Sequence, residues 1–263
     1  MPELPDVEVF RRYTEQNAVG RDLFSAEVLD ERCLDGVSAS EFEQAVSATT
    51  FAGTRRIGKQ LFVSLSSGRW LTLHFGMTGY PEFSPEGRPA DYARVVFHFA
   101  DGAALSYVLK RMLGRIGLAE SPERFAAERG LGEDALRMSE ERFSDLLRTA
   151  RGGAKSLLMN QSRIAGIGNM YSDEILFDAG VHPSSACRAL DRSALSRLDH
   201  ARRSIFETAI ERHVDPAAMP EDWLFPRRED GTSCPRCGGR IRREVIAGRG
   251  AYFCADHQHL YRS

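Results

Sequence analysis

The pattern of apolar and polar residues changes about halfway along the chain. In the first half, short apolar runs with partly alternating polar positions predict strands, over Leu23–Leu29, Phe51–Ile57, Leu61–Leu65, Trp70–Phe75, Val95–Phe99 and Ala104–Val108. Turn residues such as Ser66-Ser67-Gly68 separate these runs. Helices are predicted over residues 7–17 and from about Ser40 to Ala48, with Ser40 as the N-cap. This combination predicts a β-sandwich with flanking helices.

From Ser139 onward, the apolar positions recur with helical spacing. The predicted helices are Ser139–Ala150, Lys155–Asn160, Asn169–Ala179 and Ser193–His213. The tight turn Gly166-Ile167-Gly168 precedes the third of these helices, and Gly180 ends it. The sequence of the tail, residues 226–263, predicts a small β module. We therefore expect an α+β multidomain protein with an N-terminal domain 1–119, a linker 120–133, a helical domain 134–225 and a C-terminal module 226–263.

Composition places the chain among globular proteins. Of its 263 residues, 42% are hydrophobic and 27% are charged. It has no run of 18 apolar residues and no signal-peptide core, so we expect a cytoplasmic protein without a membrane partner. Five cysteines are an odd number, and three of them lie near the C-terminus. In a reducing compartment this distribution favours metal binding over disulfides.

The charge is unevenly distributed along the chain. A net charge of -2 and a pI near 6.4 argue mildly against a nucleic-acid partner. Between Arg227 and Arg249, however, seven arginines stand against only Glu229, Asp230 and Glu244. Because a local basic patch is enough to attract a polyanion, the overall pI does not exclude nucleic-acid binding.

The first candidate for chemistry is the N-terminal stretch Met1-Pro2-Glu3-Leu4-Pro5. Removal of Met1 would leave proline at the N-terminus, and its secondary amine can attack an electrophilic carbon to form an iminium. Glu3, its neighbour, could act as a general acid or base. Taken alone, the same residues also suit an ordinary helix start, with prolines near the first turn followed by acids.

The second candidate is a zinc site in the tail. Cys234-Pro-Arg-Cys237 is followed, after sixteen residues, by Cys254-Ala-Asp-His257. Two such pairs separated by a hairpin length form a tetrahedral Cys3His set that suits one structural zinc ion. His259 is the alternative fourth ligand. The plain alternative to a zinc site is that the two pairs occur in a loop by chance. We expect Cys33 and Cys187 to be small core residues.

Three separated segments together resemble the formamidopyrimidine-DNA glycosylase / endonuclease VIII family of base-excision repair. They are the start Pro2–Glu8, the turn and helix Ile164–Glu174, and the C-terminal zinc hairpin, in the family's order and across essentially the whole chain. The resemblance implies an N-terminal β-sandwich, a helix-two-turns-helix domain with a zinc finger, and DNA between them. It implies a monomer that acts at the nucleoid on double-stranded DNA containing damaged bases or abasic sites.

The resemblance also assigns catalytic roles. Pro2 would be the nucleophile that attacks the sugar C1′ of a damaged nucleotide, and Glu3 the acid that helps to open the sugar ring. Lys59, in Arg55-Arg56-Ile-Gly-Lys59, matches the family's hairpin lysine, which reaches the DNA at the lesion. Arg249, five residues before Cys254, matches the zinc-finger arginine that contacts the lesion phosphates. Without the resemblance, Lys59 would be a solvated charge at a strand edge.

Five further residues match DNA-binding positions of the family. Asn169 matches a residue that binds backbone phosphate at a helix start, where anions are favoured in any case. Lys155 matches a lysine near the lesion, with simple solvation as the alternative. An enzyme of this kind must flip the damaged base out of the duplex and fill the gap. Met77 matches the filler methionine, Arg111 the arginine facing the orphaned base, and Leu113 stands in place of the wedge phenylalanine. A core methionine is the alternative for Met77.

The chain departs from the family pattern at several points. Asp6 replaces a glutamate, Leu109-Lys110 replaces Asp-Pro, and His257 replaces a cysteine. Segment Val214–Ser233 is shorter than in members specialised for 8-oxoguanine, where a loop caps that base. We therefore expect a bifunctional DNA glycosylase/AP lyase that excises formamidopyrimidines and oxidised pyrimidines at least as fast as 8-oxoguanine. The main competing hypothesis is a catalytically silent damaged-DNA-binding protein on the same fold.

Overall fold

The computed structural model describes residues 1–262, and these fold into two compact units. Met1–Pro2 and Asp6–Gly130 form the first unit, whereas Glu3–Pro5 and the chain from Leu131 onward form the second. The predicted α+β architecture is confirmed, because the first unit is built on two sheets and the second combines helices with a C-terminal hairpin.

Nine strands and three helices build the first unit. The strands are β1 (Leu23–Val28), β2 (Leu34–Asp35), β3 (Phe51–Ile57), β4 (Gln60–Leu65), β5 (Trp70–His74), β6 (Tyr80–Ser84), β7 (Ala93–Phe99), β8 (Ala104–Val108) and β9 (Arg115–Ala119). The helices are α1 (Leu4–Ala18), α2 (Ala39–Val46) and α3 (Pro122–Glu128), and Glu31–Cys33 forms a 3-10 turn. One sheet has the order β1-β7-β8-β6 and the other β2-β9-β5-β4-β3.

The two sheets share one apolar core, to which both contribute buried side chains. Leu73 comes from one sheet and Leu105 from the other. Phe51 and Phe97 meet edge to face at 5.4 Å between ring centroids, a favourable aromatic geometry. Cys33 is fully buried in this core, as expected from the sequence.

Helix α2 begins earlier than its sequence pattern suggested. Its N-cap is Ser38 and not Ser40, so that prediction is wrong. Ser38 accepts the N–H of Glu41 at 3.3 Å, and the Glu41 carboxylate accepts the Ser38 N–H at 3.1 Å. This reciprocal pair satisfies two backbone donors, whereas Ser40 accepts only from the Gln44 side chain.

Strands β2, β6 and β9 of the first unit lack a clear sequence signal. Strand β6 contains Pro81, which is tolerated because β6 lies at a sheet edge. Strand β9 contains Gly117, where a Cβ would lie 2.7 Å from the carbonyl oxygen of Asp35. That close approach of two backbones is a tertiary constraint, and only glycine meets it. Within the segment assigned to a linker, α3 packs Phe125 against Phe62 at 5.5 Å.

The second unit contains four helices and two small pairs of strands. The helices are α4 (Glu140–Thr149), α5 (Ala154–Leu158), α6 (Asn169–Asp178) and α7 (Arg192–Glu211), with 3-10 turns at Cys187–Ala189, Pro216–Ala218 and Phe225–Arg227. The strands are β10 (Glu133–Asp134), β11 (Ile164–Ala165), β12 (Ile241–Ile246) and β13 (Arg249–Cys254). Strands β10 and β11 pair in parallel, and β12 and β13 form an antiparallel hairpin.

Helix α6 is the buried centre of the second unit. All residues from Tyr171 to Phe177 are buried, including the polar Ser172, Asp173 and Glu174. Helix α7 buries the apolar face predicted for it, and Cys187 lies in the same core. In residues 1–262, no helix is long and apolar enough to cross a membrane.

Candidate active site

The Glu3 side chain is anchored on the first turn of α6. It is only 2% exposed, and its carboxylate accepts backbone N–H bonds from Gly168 at 2.6 Å, Met170 at 2.9 Å and Tyr171 at 3.3 Å. The first amides of a helix have no partner inside the helix, and the positive end of its dipole favours an anion. Glu3 therefore caps α6 across 165 residues of sequence.

The backbone beside Glu3 is fixed as well. Leu4 donates its N–H to the Gly166 carbonyl at 3.1 Å. A Cβ on Gly166 would lie 2.6 Å from the Leu4 side chain, and φ there is +113°, so the position suits only glycine. Pro2 is partly exposed, and Met1 is 57% exposed. The backbone next to the predicted nucleophile is thus held in place, while Met1 is exposed.

Asn169 connects the start of α6 to the C-terminal hairpin. Its side-chain Nδ2 donates to the Gly250 carbonyl in β13 at 3.0 Å. Its Oδ1 is buried and has no hydrogen-bond partner among the described residues. Arg249, at the first position of β13, is exposed. One helix therefore organises both Glu3 and the strand that carries Arg249.

The side chain of Lys155 is fully buried. Its Nζ donates to Ser172 Oγ at 3.1 Å and to the Asn169 carbonyl at 3.3 Å, and it forms a salt bridge with Asp173. Burial lowers the pKa of Lys155, and the Asp173 carboxylate offsets part of that effect. An ammonium group has three donors, and these three acceptors use them all. This geometry excludes the solvated alternative and favours a role in positioning α6 over direct contact with DNA.

Lys59 lies in the two-residue turn between β3 and β4. Gly58 has φ of +57°, which suits the tight hairpin turn there. Arg56 stabilises the turn, because its side chain is only 3% exposed and donates to the Gly58 carbonyl at 2.9 Å. Arg56 also pairs with the Glu8 carboxylate of α1 at 3.1 Å. The Lys59 backbone is therefore fixed by a buried ion pair.

His74 at the end of β5 is a neighbour of Lys59 that the sequence analysis did not single out. Burial, and then the positive charges of Lys59 and Arg115, lower the pKa of His74 and favour its neutral form. Its Nδ1 accepts the Gly76 N–H at 3.3 Å, and its carbonyl accepts the Tyr107 hydroxyl at 2.7 Å. His74 thus stabilises the start of the loop that contains Met77.

Met77 and Leu113 are exposed on two loops that pack against each other. Met77 is 38% exposed and Leu113 is 49% exposed. A Cβ on Gly76, where φ is +59°, would lie 2.5 Å from the Leu113 backbone carbon. Only glycine permits this contact, so it sets how close the two loops come. Arg111 in the second loop is exposed as well. The exposure of Met77 excludes the core alternative.

The three cysteines predicted as zinc ligands come together in the tail. The Sγ atoms of Cys234, Cys237 and Cys254 all lie within 4.8 Å of one another. The Gly239 N–H donates to Cys237 Sγ at 3.4 Å and lowers the pKa of that thiol, which favours the thiolate that binds metal. Burial raises the pKa of Cys254 to about 12, so this thiol needs a cation to replace its proton. The cluster fits a structural zinc ion.

Within residues 1–262, no histidine joins this cluster. His257 Nε2 lies 2.9 Å from the Phe177 carbonyl oxygen, and its ring packs on Phe177 at 4.8 Å. The His259 ring packs on Tyr261 at 4.6 Å. A zinc-bound histidine commonly donates its other ring N–H to a backbone carbonyl, so the Phe177 contact suits a ligand bound through Nδ1. His257 as the fourth ligand remains a prediction.

Segment Val214–Ser233 is tied to α6. Both carboxylate oxygens of Glu174 accept backbone N–H bonds, from Leu224 at 2.9 Å and Phe225 at 2.7 Å. Burial raises the pKa of Glu174 to about 8, although these two donors act in the opposite direction. Leu224 is fully buried against Phe177 and the cysteine cluster. The sequence motifs did not point to Glu174, although an acid among the apolar residues of a helix is a signal for such a buried carboxylate.

Three family models match successive parts of the chain. The formamidopyrimidine-DNA glycosylase N-terminal domain matches residues 1–116, and the formamidopyrimidine-DNA glycosylase H2TH domain matches residues 131–218. The zinc finger found in FPG and IleRS matches residues 233–256, which contain the three clustered cysteines. The tail therefore carries a structural zinc site.

Curated relatives match along almost their whole length. A formamidopyrimidine-DNA glycosylase of Pelotomaculum thermopropionicum is 30% identical over 276 residues, covering 99% of this chain and 100% of that protein. One of Halorhodospira halophila is 33% identical, covering 97% and 98% respectively.

Solved structures show the same fold. A complex of the LlFpg protein with a THF-DNA and an inhibitor matches with a TM-score of 0.88 at 27% identity, covering 98% of this chain and 100% of that chain. The Lactococcus lactis Fpg in complex with DNA containing an abasic site matches with a TM-score of 0.87 at 26% identity, covering 98% and 99%.

Proposed function

Because the chain belongs to the formamidopyrimidine-DNA glycosylase family, we propose that it is a base-excision DNA glycosylase with AP lyase activity. Its substrate would be double-stranded DNA that contains oxidised bases or abasic sites. The observation that carries the proposal is the N-terminus, where Pro2 follows an exposed Met1 and precedes a carboxylate anchored on α6.

The proposed reaction begins after removal of Met1. The Pro2 nitrogen attacks the sugar C1′, the bond from C1′ to the base breaks, and the base leaves. The Glu3 carboxylate takes the proton that the attacking amine loses. The sugar ring then opens, O4′ receives that proton from Glu3, and the nitrogen lone pair forms the iminium. β-Elimination removes the 3′ phosphate and δ-elimination the 5′ phosphate. Water finally hydrolyses the iminium and releases Pro2.

The anchoring of Glu3 supports this role, because a carboxylate that accepts a proton from the amine and passes it to O4′ must be held within hydrogen-bond reach of both atoms. Three backbone donors fix its carboxylate, and the peptide bond between Pro2 and Glu3 keeps the two residues adjacent. Preorganisation of this kind costs no rearrangement at the moment of reaction.

Contacts to the DNA at the lesion are proposed for Lys59, Asn169 and Arg249, with Asn169 and Arg249 on backbone phosphates and Lys59 in a catalytic role. Lys59 lies in a hairpin turn held by a buried ion pair, and Arg249 is exposed at the start of β13. Asn169 stands at the first position of α6, where a helix favours anions. If Lys59 and Arg249 contact the DNA, each should add a contribution to DNA affinity that weakens as the salt concentration rises.

Met77, Arg111 and Leu113 are proposed to enter the DNA duplex when a base is flipped. Apolar side chains in contact with water are suited to fill the gap in a base stack, and both Met77 and Leu113 are exposed. Their loops are packed backbone to backbone at Gly76, so the two side chains would act as one wedge. Arg111 would face the orphaned base.

The lesion preference follows from the segment Val214–Ser233. Its residues Leu224 and Phe225 are bonded to Glu174, so little free chain remains to close over an extruded base. Ring-opened and saturated bases stack poorly and flip at lower cost, which gives selectivity without a cap. We therefore expect formamidopyrimidines and oxidised pyrimidines to be excised at least as fast as 8-oxoguanine opposite cytosine, measured as single-turnover rates on matched duplexes.

Borohydride trapping tests the proposed function. With abasic-site DNA, borohydride should reduce the iminium and leave a covalent protein–DNA adduct. An N-terminal extension that cannot be processed should abolish the adduct but preserve DNA binding, because an acylated Pro2 nitrogen cannot form an iminium. The same extension at the C-terminus is the matched control. Full trapping by the N-terminally extended protein would refute the mechanism, and binding without any trapping by the unmodified protein would identify a silent binder.

A further inference from the structure

A buried ionic cluster connects three separate parts of the second unit. Asp173 of α6 is 1% exposed and lies between two cations. Lys155 from α5 bonds to its Oδ1, and the guanidinium of Arg228 lies 2.8 Å from its Oδ2. A buried carboxylate with a cation on each oxygen is stable only while both partners are present.

Asp173 also binds the zinc hairpin directly. Its Oδ2 accepts the backbone N–H of Tyr252 in β13 at 3.1 Å. Arg228 lies over the Tyr252 ring at 4.7 Å from its centroid, so the cation that pairs with Asp173 also holds this side chain. The hairpin is therefore attached to α6 through the same carboxylate whose charge Lys155 and Arg228 neutralise.

A second bond gives this attachment a defined register. Asn169, one helical turn before Asp173, donates to the Gly250 carbonyl at 3.0 Å. The two side chains of α6 thus match two successive outward-facing groups on the edge of β13 that does not pair with β12. Neither bond survives a shift of β13 by one residue.

We propose that Asp173 is a positioning residue that fixes β13 on α6 and thereby sets the place of Arg249 relative to Glu3. The significance of Arg249 and Glu3 rests on the proposed function, but the attachment itself does not. Lys155 and Arg228 neutralise Asp173 and hold it in place. In this arrangement, the part of Lys155 in DNA processing is indirect and passes through Asp173.

The experiment uses the full-length, zinc-loaded protein and the variant Asp173→Asn, which keeps the side-chain size and removes the charge. Loss of the charged acceptor should speed hydrogen exchange of the Tyr252 amide by about tenfold or more. The salt slope of DNA binding should fall by about 1, as in Arg249→Ala, because one phosphate contact is lost. Trapping on abasic-site DNA should slow by about tenfold or more, since small misplacements are costly. Asp145→Asn, an exposed aspartate paired with Arg148, is the control and should change none of these.

A double variant separates positioning from simple stability. Asp173→Asn combined with Lys155→Met removes the fully buried cation that Asp173→Asn leaves unpaired, whereas Arg228, whose side chain is 17% exposed, keeps its charge. Thermal stability should therefore recover in part relative to Asp173→Asn. Tyr252 exchange, the salt slope and trapping should not recover. If Asp173→Asn does not retain zinc, the double variant provides the same three measurements.

Several results would overturn the inference. Unchanged Tyr252 exchange in Asp173→Asn would show that the carboxylate does not hold β13. Recovery of trapping together with stability in the double variant would show a merely structural role, as would slower trapping with an unchanged salt slope. If the unmodified protein traps no DNA, the proposed function fails instead, and the Tyr252 exchange rate still tests the attachment.

Discussion

The substitution Glu3→Gln should destabilise the second unit even in the absence of DNA. Glu3 Oε2 accepts two backbone N–H groups and Oε1 accepts one, with the side chain 2% exposed. An amide keeps only one oxygen, so its NH2 group must face at least one backbone donor. Leaving a buried donor unsatisfied costs about 1–3 kcal/mol, and losing a charge at a helix N-terminus costs about 0.3–2 kcal/mol. We expect a loss of about 3 kcal/mol in the free energy of unfolding.

Calorimetry of the full-length protein measures this effect directly. For a domain of this size, about 3 kcal/mol lowers Tm by roughly 6–15 °C. The amide of Met170, which donates to Glu3, should also exchange faster with solvent. Glu140→Gln is the matched control, because Glu140 is an exposed acid in the first turn of α4, and there the cost should stay below about 1 kcal/mol. A Glu3→Gln variant no less stable than this control would refute the capping role derived for Glu3.

Three further outcomes follow from the structure. Cys254→Ser should lose stoichiometric zinc and disorder the hairpin, because site formation in isolated zinc fingers is worth roughly 10–16 kcal/mol; metal analysis that still finds one zinc per chain in a Cys254→Ser, His257→Ala double variant would contradict the ligand assignment. Leu113→Phe should change the rate of base extrusion, followed by stopped-flow fluorescence, and leave trapping of preformed abasic sites nearly unchanged; equal effects on both would rule out a wedge. Burial raises the pKa of Glu8, but Arg11 and Arg56 outweigh it and hold the pKa below 4.5. The stability from this pair is therefore present above pH 4.5 and is lost as pH falls through the lower folded-state pKa, so Glu8→Gln should flatten the acid limb of stability against pH.

Local patterns were enough to predict much of the fold. Alternation located most strands of the first unit, and helical spacing located α4, α6 and α7. The zinc site was also readable, because its cysteine pairs are short-range motifs on either side of a hairpin. These features depend on residues only a few positions apart, where period, capping and turn chemistry act directly.

What the sequence by itself could not determine is which polar groups become buried together. The place of Lys155 near DNA stays a prediction of the resemblance, and only the fold shows that its side chain is buried against Asp173. Ser38 displaced Ser40 as a cap because Glu41 completes a reciprocal pair. The backbone N–H groups that bind the Glu3 carboxylate begin 165 residues further along the chain. The cost of burying a charge depends on the partners that folding brings to it, and no local period records partners so distant in sequence.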